Sequence, residues 1–88
     1  MSKDRNAIKI NKTVNGSELT FELDGRLDIN TAPLLDEEIS KSIEGVESLT
    51  FDAKNLRYIS SAGLRVLLKA QKIMNSQGTM KIINADED

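Results

Sequence analysis

Asn15-Gly16 lies between two segments whose apolar residues recur at every second position, and this arrangement restricts the fold more than any other feature. Asn-Gly suits a two-residue type I′ turn, because both residues adopt positive φ cheaply. Before it, "AIKINKTV" (7–14) sets Ile8, Ile10 and Val14 on one side and Lys9 and Asn11 on the other. After it, "SELTFELDG" sets Leu19, Phe21 and Leu23 on one side and Glu18, Thr20 and Glu22 on the other. Alternation of this kind marks strands with one buried face, so the chain opens with a β-hairpin.

The period then changes. In "RLDINTAPLLDEEISKSIEG", Asn30 or Thr31 is placed to cap a helix and Pro33 fits its first turn. Leu35, Ile39 and Ile43 form one stripe, Glu37 and Lys41 pair outside it, and Gly45 is expected at C′. "VESLTFDA" (46–53) reads as a strand with Leu49, Phe51 and Ala53 inward, and "KNLRYI" as a short link. A second helix is expected from Ser61 to about Gln77, with Gly63, Val66, Leu67, Ala70, Ile73 and Met74 inward and Gly78 as its stop. "TMKII" supplies a last strand with Met80 and Ile82 inward, and "NADED" an acidic tail.

The fold class is therefore α/β, in the order β-β-α-β-α-β, with a mixed sheet of about four strands. Strands that are apolar on one face only place both helices on one side and leave the other wet. The 88 residues suffice for a single domain, with 1–6 and 85–88 expected to be flexible. Phe21, Phe51 and Tyr58 are the only aromatics, so Leu, Ile and Val must make most of the core.

Composition narrows the chemistry. The chain has no cysteine and no histidine, which removes disulfides, thiolate zinc sites, thiol nucleophiles and Ser-His triads. No metal site and no cofactor are expected. Net charge is −2, with the charges well mixed, which does not suit nucleic acid. The N-terminus lacks the apolar segment of a signal peptide, and no run is long enough for a membrane span, so the expected location is the cytoplasm. Neither G-x-x-x-x-G-K-[ST] nor G-x-G-x-x-G occurs, and we expect no enzyme.

Sites on open sheets gather beyond the carboxyl ends of parallel strands. "DGRLDIN", "DAKN" and "SSAG" are expected there, bringing Asp24, Asp28, Asp52, Ser60 and Ser61 to one edge. One serine serves as helix N-cap, worth about 0.5–2 kcal/mol. Gly63 costs about 0.8–1 kcal/mol against Ala in a helix, a cost explained by close packing on the sheet or by close approach of a partner. Without a histidine the hydroxyls are poor nucleophiles, but they remain good substrates, because a kinase brings its own base, metal and ATP. A phosphate at a helix start meets unpaired N–H groups and the positive helix end. Beside Asp28 and Asp52 it would repel a docked partner.

"LDGRLDINTAP" and "LTFDAKNLRYISSAGLRVLL" resemble the anti-sigma factor antagonists of the STAS domain superfamily, over about residues 8 to 84. The resemblance rests on a G-x-L-D turn, Gly25 to Asp28, and on a D-S-[SAT]-G-L-type helix start, Ser60-Ser61-Ala62-Gly63-Leu64. It implies a phosphoacceptor at Ser61, with Ser60 as second choice, since Ser60 stands where the family has Asp. It also implies a partner surface of Asp28, Asn30, Ser60, Ser61, Ala62, Gly63 and Leu64. The partners implied are an anti-sigma factor and serine kinase of the histidine-kinase-like ATPase fold, and a phosphatase. The alternative is a constitutive subunit of a transporter or stress-signalling scaffold. Such domains usually continue into another helix after the last strand. Its lack here would uncover apolar surface near Ile82 and favour weak self-association.

Overall fold

The computed structural model describes residues 8–85. The expected flexible ends, 1–6 and 85–88, fall outside the described residues except for Ala85. The elements are β1 (Ile8–Asn15), β2 (Glu18–Leu27), α1 (Ala32–Ser42), β3 (Ser48–Ile59), α2 (Ser61–Met74) and β4 (Thr79–Ile83). They build one sheet in the order β1-β2-β3-β4. β1 runs antiparallel to β2, while β2, β3 and β4 are mutually parallel.

Both β-α-β crossovers step the same way across the sheet. Right-handed connections then place both helices on the same face. Leu19, Phe21, Leu23 and Leu27 of β2 and Leu49 and Phe51 of β3 meet Leu35 and Ile39 of α1 and Leu67, Ala70 and Met74 of α2 in one buried cluster. Phe21 and Phe51 stack near its middle, with ring centroids 5.7 Å apart. Glu18, Glu22, Asp24 and Arg26 alternate with the buried residues of β2 and face solvent.

The hairpin forms with its turn one residue later than predicted. Asn15 pairs with Glu18, so Gly16 and Ser17 are the central residues. Gly16 alone among them has positive φ, 63°, the pattern of a type II′ turn rather than I′. Val14 lies opposite buried Leu19, on the expected face, but is 63% exposed. The helices cover the central strands and leave this end of the edge strand open. Lys12 lies opposite Phe21 on the same face and reaches out to donate to Ser42 Oγ at 3.0 Å. An inward-pointing charge on an edge strand discourages pairing with other chains.

The largest departure is β3. "KNLRYI" is not a link but the second half of this strand. Glu22 pairs with Asp52 but Asp24 with Asn55, and Gly25 pairs with Leu56 but Arg26 with Tyr58. Each shift inserts one extra residue into β3, a β-bulge that bends the strand and changes where its side chains point. Inward positions consequently step by three, through Ala53, Leu56 and Ile59.

The α1 and α2 ends also differ from expectation. Lys41 pairs with Glu38 at 3.6 Å rather than with Glu37. The C-cap of α1 is Ile43, so Gly45 (φ 79°) lies two residues beyond the cap, not one, in the turn closed by Val46 N–H donating to Ile43 O. α2 stops at Met74 rather than about Gln77. The Gln77 side chain instead donates to Ile43 O and Val46 O, at 3.0 and 2.8 Å, and satisfies carbonyls beyond α1. Gly78 is required by close approach: a Cβ there would collide with the Glu47 backbone. Ile73 and Met80 are half-buried, and Ile82 is 45% exposed.

Candidate functional site

Two loops meet at the carboxyl ends of β2 and β3. The Ser60 N–H donates to Leu27 O at 2.9 Å and ties the start of α2 to the end of β2. Ser60 has extended backbone (φ −97°, ψ 176°), and its Oγ accepts from Gly63 N–H at 3.3 Å. Ser60 is therefore the N-cap. Ser61 follows as the first helical residue, exposed, with no partner for its hydroxyl among the described residues. The two adjacent hydroxyls thus divide into one that holds the helix and one that faces solvent.

Ala62 is half-buried and Gly63 buried. A Cβ on Gly63 would lie 2.7 Å from Leu27 Cγ and 3.0 Å from Leu27 O. Packing of helix on strand accounts for this glycine, and of the two explanations open from sequence it is the one the geometry supports. Leu64 points outward and is 49% exposed.

The β2–α1 turn is built around Asp28 and Thr31. The Asp28 carboxylate accepts from Asn30 N–H at 2.9 Å and Thr31 N–H at 3.1 Å. The Thr31 hydroxyl is buried, accepts from Asp28 N–H and donates to Arg26 O, both at 2.8 Å. Thr31 occupies the N-cap position of α1, as one of the two predicted candidates, without capping through its side chain. Asp28 O instead accepts from Thr31 N–H and Ala32 N–H. Partial burial opposes the Asp28 charge, but hydrogen bonds from Thr31 and Asn30 and the Arg26 guanidinium outweigh it, holding this carboxyl below the usual carboxylate range. Arg26 lies 3.7 Å from that carboxylate and stacks over Tyr58, 4.4 Å from the ring centroid. Asn30 is exposed at the tip of the turn.

Asp24 and Asp52 do not join this edge. Asp52 sits opposite Glu22 and Ile83 on the solvent face in mid-sheet, and the rest of β3 separates it from Ser60. At about 3.3 Å per residue that is roughly 20 Å. Its carboxylate accepts from Asn84 Nδ2 at 2.9 Å and Lys54 N–H at 3.0 Å, bonds that lower its pKa below the usual carboxylate range despite opposing desolvation. It stabilises the first bulge and the end of β4. Asp24 lies opposite Asn55 on that same solvent face.

The structure adds Ile29 and Arg65 to the residues at this edge. Ile29 is 73% exposed between Asp28 and Asn30. With Ala32, Pro33, Ala62, Arg65 and Val66 it lines a groove of about 500 Å³ between the starts of the two helices. Lys69 bridges to Asp36 across it at 3.2 Å. An isoleucine inside an otherwise polar turn was the available sequence signal. No acidic cluster suited to a metal ion occurs among the described residues, and none of their helices is long and apolar enough to cross a membrane.

Among curated proteins no relative matches. Several solved structures share the fold. An anti-sigma factor antagonist from Mycobacterium paratuberculosis is 17% identical, with 92% of this chain and 70% of that one covered and a TM-score of 0.79. The anti-sigma factor antagonist SpoIIAA in its unphosphorylated form is 19% identical over 91% of this chain and 74% of its own, at 0.77. The Bacillus cell fate determinant SpoIIAA in its phosphorylated form is 19% identical over 92% and 75%, at 0.73. The STAS domain profile matches residues 9–88, nearly the whole sequence, and the chain belongs to the STAS domain family.

Proposed function

We propose that this domain is an anti-sigma factor antagonist: a non-catalytic module that binds an anti-sigma factor with serine-kinase activity and is released when Ser61 is phosphorylated. The observation that carries this reading is the division of labour between the serines. Ser60 holds the cap, and Ser61 presents its hydroxyl to solvent on a fixed first turn. The kinase supplies the base, the metal and the nucleotide, so the absence of histidine is no obstacle. A phosphoryl group on Ser61 would meet the N–H groups of the first turn and the positive end of α2. The Ser60 cap and the Leu27–Gly63 contact are already made without it.

The docking surface on this reading is Asn30 and the exposed parts of Ser61 and Leu64, with Asp28, Ser60, Ala62 and Gly63 holding it in shape. Release follows from charge and bulk at the centre of the contact. The added charge is about −1.5 to −2 at pH 7, and a hundredfold loss of affinity needs only about 2.7 kcal/mol. The match to SpoIIAA in both its unphosphorylated and its phosphorylated form supports a switch that leaves the fold in place.

The test is incubation with the cognate anti-sigma kinase and ATP, followed by mass spectrometry. One phosphate on Ser61, lost in Ser61→Ala and kept in Ser60→Ala, is expected. An equally labelled Ser61→Ala would refute the assignment. A chain that binds its partner but accepts no phosphate would instead be a constitutive STAS subunit, the reading favoured by Ser60 in place of an acidic residue.

A further inference from the structure

Ser61 and Arg65 stand one helical turn apart on α2, and both are exposed. Residues at i and i+4 are neighbours on a helix surface, and an anion placed N-terminal to the cation is the more favourable order. The direction of helical side chains adds to this. Each leans toward the helix N-terminus, over the turn before its own Cα, so the long Arg65 stem is directed toward the turn that carries Ser61. Leu64, at i+3 from Ser61, brings no charge. Ser60 stands five positions from Arg65, off this stripe, and its hydroxyl already accepts from Gly63 N–H.

The other charges of this edge are paired with one another. On the β2–α1 turn, Asp28 has Arg26 at 3.7 Å, and Arg26 also stacks on Tyr58. On α1, Asp36 accepts from Lys69 Nζ with both carboxylate oxygens, at 3.2 and 3.4 Å. Arg65 forms no ion pair among the described residues. Its own helix offers none, since Ser61 and Lys69 are its neighbours four residues away on either side. In the lining of the groove between the helix starts, Asp36 and Lys69 cancel, and the charge left over is that of Arg65.

We infer that Arg65 is the positioning residue of the switch: when Ser61 carries a phosphoryl group, the Arg65 guanidinium folds back one turn and binds it through two N–H donors. A guanidinium matches phosphate oxygens in this bidentate way, and the charge on both partners strengthens the bonds. The inference rests on the proposed modification of Ser61 and supplies its partner within the chain. Before modification, the pair presents a hydroxyl and a free guanidinium beside the groove. Afterwards the phosphoryl charge of about −1.5 to −2 exceeds the single positive charge of Arg65, so the pair turns from cationic to anionic. A partner carboxylate docked on Arg65 loses its cation and meets a phosphate in the same place. Release then needs a rotamer change of one exposed side chain and no movement of α2.

The test is the second ionisation of a phosphoserine installed at position 61 during synthesis of the 88-residue chain, followed by phosphorus NMR as pH is varied. Because the phosphate is installed, this result and kinase labelling succeed or fail separately. A cation beside the phosphate favours its dianion and lowers the pKa from the usual value of about 6. The parent is expected to titrate at least about 0.3 unit below Arg65→Gln, and Arg65→Lys, which keeps the charge, to recover part of that difference. Arg65 is exposed, so both variants should keep the folded amide spectrum. The Arg65 Nε–H resonance should move when the phosphate is present. With phosphoserine at position 60 instead, replacing Arg65 by Gln should leave the titration unchanged. Equal values for the parent and Arg65→Gln, no recovery with Arg65→Lys, or the same dependence on Arg65 with the phosphate at position 60 overturns the inference.

Discussion

Replacing Gly63 with alanine tests how tightly α2 is pressed onto β2. In an ordinary exposed helix interior this change stabilises by about 0.8–1 kcal/mol. Here the new methyl would lie 2.7 and 2.9 Å from Leu27 Cγ and Cδ2 and 3.0 Å from Leu27 O. Leu27 is fully buried, so its side chain has little room to give way. Its carbonyl is also held by Ser60 N–H at 2.9 Å, so backing the helix away strains the bond that anchors its start. Overpacking of this kind costs about 1–3 kcal/mol. Against the propensity gain, the net expectation is a loss of up to about 2 kcal/mol. For a domain of this size each kcal/mol lost lowers Tm by about 4–8 °C. Urea unfolding followed by circular dichroism measures it, with a reduced midpoint and an unchanged slope expected. A variant stabilised by the full gain of an unopposed glycine-to-alanine change, about 0.8–1 kcal/mol, would show that the Gly63–Leu27 contact does not limit how close the helix lies.

Further outcomes follow from the same geometry. Thr31→Val deletes a buried hydroxyl that serves Asp28 N–H and Arg26 O, and should cost about 1–3 kcal/mol in urea unfolding; a neutral result would mean the turn satisfies these groups otherwise. Asp28 and Asp52 both have folded-state pKa values below the usual 3.8. Their contribution to stability is therefore complete above pH about 4 and lost as pH falls through the folded values, so Asp28→Asn and Asp52→Asn should each flatten the acid side of a stability–pH curve. Ser60→Ala should lose about 0.5–2 kcal/mol of stability and keep kinase labelling. Ser61→Ala should change stability by less than about 0.5 kcal/mol and lose labelling. The reverse pattern would exchange the roles of the two serines.

The sequence is most readable where one rule acts alone. Leu19, Phe21 and Leu23 alternate in β2, and Leu35 and Ile39 repeat one turn apart in α1; all five are buried as the periods require. Reading fails where a second constraint overrides the period. The bulges of β3 space Ala53, Leu56 and Ile59 three apart, which mimics a loop or a helical step and hides half a strand. Val14 has the right parity but lies where no helix covers it. At the site, "SSAG" revealed a cap beside a second hydroxyl, but which serine does which depends on the ψ of 176° at Ser60. Asp52 belongs to that edge only if β3 ends at Ala53, and the strand runs six residues further, to Ile59. Ile29 signals itself in the sequence only as an apolar residue in a polar turn, and its 73% exposure depends on the fold.

On the function proposed here, charge delivered to Ser61 by another protein governs docking without remodelling the domain. The most direct measurement is the affinity of the anti-sigma partner for two forms of the chain, unmodified and carrying phosphoserine installed at position 61 during synthesis. A loss of a hundredfold or more, about 2.7 kcal/mol, is predicted, with the amide spectrum of the free domain altered only around the start of α2. Equal affinity for the two forms, or shifts spread throughout the sheet, would contradict it.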